Sequence, residues 1–354
     1  MSPARRESET EEADRLEGQA HPRESYALWG QDTALARAAR AIRSGCPPQA
    51  WLIAGPPGVG KATLAYRIAR YVLRYGATAD GPPDLSVPLD DVVARQIEAQ
   101  SHPGLLVLKR RQNDRGKLKT VLDVEEVRRL GGFFGMTAGA GGWRVAIIDS
   151  ADEMNDNAAN ALLKILEEPP ARGLLLLISH APGRLLPTIR SRAQRLDLKP
   201  LDRAVLNDAL SRLLPDATDA DRSQLIALSE GSLGLALRLA GEDGLKLARE
   251  ADSLLGAHGT LDIAAVLSLG ERVGRATGGL SHFGEFLIQA VGRRVRERAA
   301  KGEGAKGNNN YRGVEVWEQL GALYERAALV HMEPKETVLI SAREVANAKR
   351  RGAL

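Results

Sequence analysis

The stretch Gly55-Pro56-Pro57-Gly58-Val59-Gly60-Lys61-Ala62-Thr63 has the residue types of a phosphate cradle. Glycines at 55, 58 and 60 let backbone N–H groups close on a phosphate. A helix starting just after them adds positive potential, and Lys61 can reach the terminal phosphates. A second chemical residue, Asp149, ends the apolar run Val145-Ala146-Ile147-Ile148, at the carboxyl edge where open α/β sheets place ligands. Gly55, Gly58, Gly60, Lys61, Ala62, Thr63 and Asp149 are therefore the candidate nucleotide-binding residues.

Two positions, one in this set and one beside it, depart from a working nucleotide hydrolase. The residue after the lysine normally brings a hydroxyl to magnesium, and here it is Ala62. Thr63 lies one residue on, turned by about 100° on a helix, so its hydroxyl does not substitute without rearrangement. Ser150 follows Asp149 where a glutamate would polarise water, and serine is too weak a base for that work. Asp152 and Glu153 lie past the strand end and are poor replacements. The loop is expected to be degenerate, with no cofactor required and its own binding of ATP and magnesium left open.

The elements around these residues follow from periodicity. Trp51–Ala54 reads as a strand before the loop, and Ala62–Tyr75 as the helix after it. Gln31–Arg43 reads as a helix with Leu35, Ala38, Ala39 and Ile42 on one face, and Leu89–Ala99 as a short helix. A strand at Leu105–Leu108 and a basic hairpin-like segment at 109–119 come next. Asp123 with Glu126 has the form of a capping box; the helix it starts would carry Val124, Val127, Leu130 and Phe134 on one side. Residues 139–142 would make a flexible link to the Val145 strand. A helix over Asp156–Glu168 places Ala159, Leu162, Leu163 and Leu166 on one face and stops at Pro169-Pro170. A buried strand, Leu174–Ser179, and a turn lead into Thr188-Ile189-Arg190-Ser191-Arg192-Ala193. After Leu198 the pattern is helical throughout. Asp202–Leu213, Asp219–Ser229 and Leu233–Ala240 make a small lid, and four or five longer helices follow from Gly244, broken by a polar loop over 302–310.

The expected layout is thus a tail over 1–24 too polar to order, an α/β P-loop domain over 25–200 (parallel sheet flanked by helices), a small helical lid over 201–241 and an all-α C-terminal domain over 242–354. The 354 residues suffice for this. A single cysteine, Cys46, excludes a disulfide framework and a four-cysteine zinc site, and the histidines show no metal-like spacing. No apolar run reaches transmembrane length and no secretory signal is evident, so a cytoplasmic protein away from membranes is expected. A net charge of +4 does not by itself argue for nucleic acid; the basic run Arg293, Arg294, Arg296, Arg298, Lys301 reads first as a solvated helix face.

The segment AANALLKILEEPP (158–170), followed by LLLLISHAPGRLLPTIRSR, resembles the clamp-loader branch of the AAA+ ATPases, over nearly the whole chain from about Tyr26. The resemblance implies a AAA+ sheet domain, a lid and a helical collar that oligomerises. It implies a five-subunit ring with motor (gamma/tau) and delta subunits as partners, which uses ATP to open a sliding clamp and close it on primer-template DNA. In that family an arginine of a Ser-Arg-Cys motif reaches a neighbour's phosphates; the matching residues are Ser191-Arg192-Ala193, so Arg192 is implied as a finger acting in trans. Arg190 is its competitor, with Arg192 then in a structural ion pair. Family motors carry Gly-Ser-Leu-Arg in the lid, where this chain has Gly231-Ser232-Leu233-Gly234. The implied role is a ring subunit that keeps the finger and lacks its own engine. The rivals are an active motor subunit, a stand-alone P-loop ATPase of DNA repair, and a scaffold without influence on catalysis.

Overall fold

The computed structural model describes residues 20–112, 119, 121–135, 142–241, 243–256, 262–276, 278–300 and 309–354. The chain divides into two units, Met1–Leu237 and Arg238–Leu354.

The first unit is built on five parallel strands, β1 (Ala50–Ala54), β2 (Leu105–Lys109), β3 (Arg144–Asp149), β4 (Gly173–Ser179) and β5 (Gln194–Asp197), in the order β2-β3-β4-β1-β5. Alternate residues of the central strands feed two cores, as strands covered on both faces must. Trp51, Ile53, Val145, Ile147, Leu174 and Leu176 face α1 (Asp32–Arg43) and α2 (Lys61–Tyr75). Leu52, Ala146, Ile148, Leu175 and Leu177 face α4 (Val124–Gly135) and α5 (Asp156–Glu167). Between them in sequence, α3 (Val92–Glu98) is shorter than the expected 89–99. Asp91 donates its N–H to the Pro88 carbonyl in a turn and then caps the helix, its carboxylate accepting from Val93 N–H at 2.8 Å.

Several expectations shift by a residue. In α5 Ala158, Ala159 and Leu162 are buried while Leu163 and Leu166 are half-buried, and in α4 it is Phe133 rather than Phe134 that is buried. The capping box at Asp123 is half formed. Its carboxylate accepts from Glu126 N–H at 3.2 Å, but the Glu126 carboxylate goes to Arg111 (2.6 Å) and Arg129 (2.7 Å), because a charged partner holds it more strongly than a backbone N–H.

The tail expected over 1–24 is corrected at its end. Residues 1–19 lie outside the described residues, but Pro22–Glu24 form a 3-10 turn and His21 is fully buried, edge-on to Tyr66. The buried Arg70 guanidinium explains the docking: it donates to the Arg23 carbonyl at 2.8 Å and the Ser25 carbonyl at 3.0 Å, partners that a charge at 1% exposure needs. The segments expected as a hairpin and a flexible link fall largely on 113–118 and 136–141, outside the described residues.

After β5 come α7 (Arg203–Leu213), α8 (Asp219–Ser229) and α9 (Leu233–Ala240). Among the described residues of the second unit, α10 (Gly244–Gly256), α11 (Ile263–Arg275), α12 (Gly279–Ala300), α13 (Asn309–Val330) and α14 (Pro334–Arg350) pack around Leu247, Phe283, Leu287, Leu320, Val338 and Val345. Asn309 and Asn310, expected in a loop, open α13. In the basic run, Arg293 pairs with Asp252 at 2.7 Å.

Candidate functional site

The loop between β1 and α2 turns with Gly58 at φ +73° and Gly60 at φ +100°, a region L-residues rarely adopt. A Cβ on Gly58 would also collide with Ser232 Oγ and stand 3.0 Å from Gly234 Cα. Glycine is required there both by dihedral and by the approach of the lid.

Successive carbonyls of this loop are tied to other parts of the unit. Lys61 Nζ donates to the Gly55 and Pro56 carbonyls at 2.8 and 2.6 Å. Ser232 Oγ donates to the Pro57 carbonyl at 2.9 Å and Gly234 N–H to the Gly58 carbonyl at 2.9 Å. The amide of Gln31, just before α1, donates to the Val59 carbonyl at 3.1 Å and the Lys199 carbonyl at 2.8 Å. Loop, lid and the entry to α1 are thereby held together. Lys61 is 3% exposed; loss of water pushes its ammonium down to about 8, against the upward pull of Asp149 and Asp152.

Gly55, Gly58, Gly60, Lys61, Ala62, Thr63 and Asp149 thus gather at the carboxyl ends of β1 and β3. Ala62, the second residue of α2, has a methyl where a hydroxyl would meet magnesium. Ser150 is 5% exposed and donates from Oγ to Asp149 Oδ1 at 3.2 Å. Asp152 is not a spare base: its carboxylate accepts from the N–H groups of His180 (3.0 Å) and Ala181 (3.2 Å), fixing the turn after β4. Glu153 is held by Arg110 at 2.8 Å. A hydrolysing magnesium–nucleotide site does not fit these residues. Gln31 was not legible as part of this cluster, nor were the backbone partners of Asp152 and Ser232, since each acts on backbone far along the chain.

Arg192 lies elsewhere. It ends α6 (Pro187–Arg192), which Pro187 starts and the buried Ile189 anchors. Arg192 lines one cavity with Pro48 and Ala50, at the start of β1, and with Gly173, at the start of β4, so it sits at the amino edge of the sheet. The phosphate loop leaves β1 at the opposite edge, after a strand of 5 residues. At roughly 3.3 Å per residue, about 15 Å separates the two edges. Arg192 donates to Glu167 Oε1 at 3.0 Å and to the Thr188 carbonyl at 3.3 Å. Arg190 is exposed and forms no ion pair among the described residues.

Residues 30–202 match the family described as DNA polymerase III, delta subunit. A DNA polymerase III subunit delta' of Pseudomonas aeruginosa is 39% identical over 193 residues, 54% of this chain and 56% of that protein. The Escherichia coli subunit of that name is 35% identical over 190 residues, 54% of each chain. The DNA polymerase III subunit tau of Salmonella typhimurium is 29% identical over 321 residues, 86% of this chain and 44% of that one. The chain spans about half the length of the relatives it matches. Residues 30–202 are thus similar to the DNA polymerase III delta-subunit family, and they form a parallel five-stranded sheet with helices on both faces.

Proposed function

We propose that this chain belongs to the DNA polymerase III delta-subunit family and is the delta-prime-type subunit of a clamp loader, one that does not hydrolyse ATP itself and supplies Arg192 in trans to the site of a neighbouring motor subunit. The observation that carries this reading is the placement of Arg192 at the amino edge of the sheet, about 15 Å from its own phosphate loop and so out of reach of it. A planar, permanent cation presented there suits a second subunit's phosphates. Ala62 and Ser150 support the loss of hydrolysis, and the commitment of Lys61 to loop carbonyls supports a site that needs no cofactor of its own.

The partners in this reading are motor (gamma/tau) and delta subunits in a five-subunit ring, and through the ring a sliding clamp and primer-template DNA. The working place is the cytoplasm, at the replication machinery. No helix among the described residues is long and apolar enough to cross a membrane.

The test is steady-state ATP hydrolysis by a ring reconstituted with motor and delta subunits, with assembly checked by gel filtration. Arg192→Ala should leave assembly nearly unchanged, lower clamp- and DNA-stimulated turnover, and be rescued little by Arg192→Lys. Unchanged turnover in an assembled ring would sink the finger. One observation favours a second assignment: Arg192 is ion-paired while Arg190 is exposed. If Arg190→Ala lowers turnover and Arg192→Ala does not, Arg190 is the residue that reaches out. The motor-subunit reading is tested on the isolated chain, which should show essentially no ATP turnover.

A further inference from the structure

Arg192 does not stand free on the surface. Its Nη2 donates to Glu167 Oε1 at 3.0 Å and its Nη1 to the Thr188 carbonyl at 3.3 Å, both on its own domain. Its side chain also lines a cavity of about 230 Å³, walled by Phe134, Ile165, Leu166 and Pro170. Glu167 is the last residue of α5, 53% exposed, and among the described residues its ion pair is with Arg192 alone. A two-point grip on phosphate needs N–H groups from both terminal nitrogens or from one terminal nitrogen and Nε. Two of the five N–H donors are held at home, so a phosphate approaching the Nη2 edge competes with the Glu167 carboxylate for it.

We infer that Glu167 is a positioning residue that stows Arg192 on its own domain until a neighbouring subunit brings phosphates to replace the carboxylate. This rests on the finger reading above. The pair is exposed at both ends, 38% for Arg192 and 53% for Glu167, so it is a weak and salt-screened hold. That is the strength a stow needs: enough to bias the free side chain, and easily outcompeted by a nucleotide with several negative charges.

Two measurements separate this inference from the finger itself. The first uses the full-length chain alone: modification by an arginine-selective dicarbonyl, phenylglyoxal, with rates read by peptide mapping. Glu167→Gln should speed modification at Arg192 about two- to fivefold and leave Arg190 unchanged. Added salt should speed Arg192 in the wild type and much less in the variant. Equal rates at Arg192 in both proteins overturn the stow, whatever the ring does. The second uses the reconstituted ring without clamp or DNA. Glu167→Gln should raise basal ATP turnover by up to about fivefold, and have no effect when Arg192→Ala is also present. If Arg192→Ala lowers turnover while Glu167→Gln leaves it unchanged or lowers it, the finger stands and the stow is refuted. If Arg192→Ala changes nothing, the finger fails and the pair has no part in catalysis.

Discussion

Burying Lys61 against its own loop should make the protein gain stability as the solution becomes mildly alkaline, the reverse of what a favourably paired lysine does. The ammonium is 3% exposed and titrates at about 8 instead of 10.5, chiefly because it has lost water. The unfolded chain retains the ordinary value. Between about pH 8 and 10.5 the unfolded state therefore binds more protons than the folded one, and stability rises with pH across that window. Near pH 7 both states hold the proton and the full drop is felt, about 3 kcal/mol at roughly 1.4 kcal/mol per pH unit. By about pH 9 roughly 2 kcal/mol of that cost remains, and by about pH 10 less than 1. Lys61→Met keeps the length and removes the charge, and the two lost carbonyl contacts contribute a constant rather than a slope. Denaturant unfolding of both proteins, read as wild type minus variant, cancels the other titrating groups. That difference should move in favour of the wild type by about 1 kcal/mol between roughly pH 7 and 9. A flat difference would show that Lys61 keeps its water, and the account of a tied-down loop would fail with it.

Other consequences are simpler to state. Leu162, fully buried between α5 and the sheet, should cost about 2–5 kcal/mol on truncation to alanine, measured by denaturant unfolding; under half a kcal/mol would mean that the α5 face is open. Gly58→Ala forces a Cβ into Ser232 and a left-handed turn on an L-residue, so the lid should detach and limited proteolysis should cut faster near residues 230–234. Lys61→Ala should leave ATP turnover of the reconstituted ring within about twofold, well under 1 kcal/mol of barrier, whereas a hundredfold loss would restore the motor-subunit reading.

What could be read from the sequence was whatever neighbours enforce on one another within a turn or a strand. The run Val145–Ile148 had to be covered on both faces, and its residues do alternate between the two cores. The strand, glycine loop and helix around Lys61 sit within about one residue of their expected bounds, because proline, glycine and apolar spacing act locally. The layout of the site was harder to see, because its defining contacts join residues far apart. Ser232 reaches the Pro57 carbonyl across 175 residues, and Asp152 caps N–H groups 28 and 29 residues on. Backbone acceptors leave no trace in composition, so nothing marked these residues as partners. His21 was hidden for a related reason: a short polar segment reads as tail until a buried guanidinium elsewhere, that of Arg70, supplies a use for its carbonyls.

The same distinction bears on Arg192. Its type and place in Ser191-Arg192-Ala193 could be read directly, but its reach could not, since reach depends on which end of the sheet α6 descends to. β4 ends at the carboxyl edge and β5 begins at the amino edge, so the intervening helix has to carry its last residue away from the phosphate loop. Parallel pairing of β1 with β5 leaves no other course: a strand entering beside Trp51 must start where β1 starts. An arginine in that position cannot serve its own loop even if Ala62 and Ser150 were restored to a hydroxyl and a carboxylate. Changes at the phosphate loop and changes at Arg192 are therefore separable in this fold, because the two lie on opposite edges of one sheet and share no atoms.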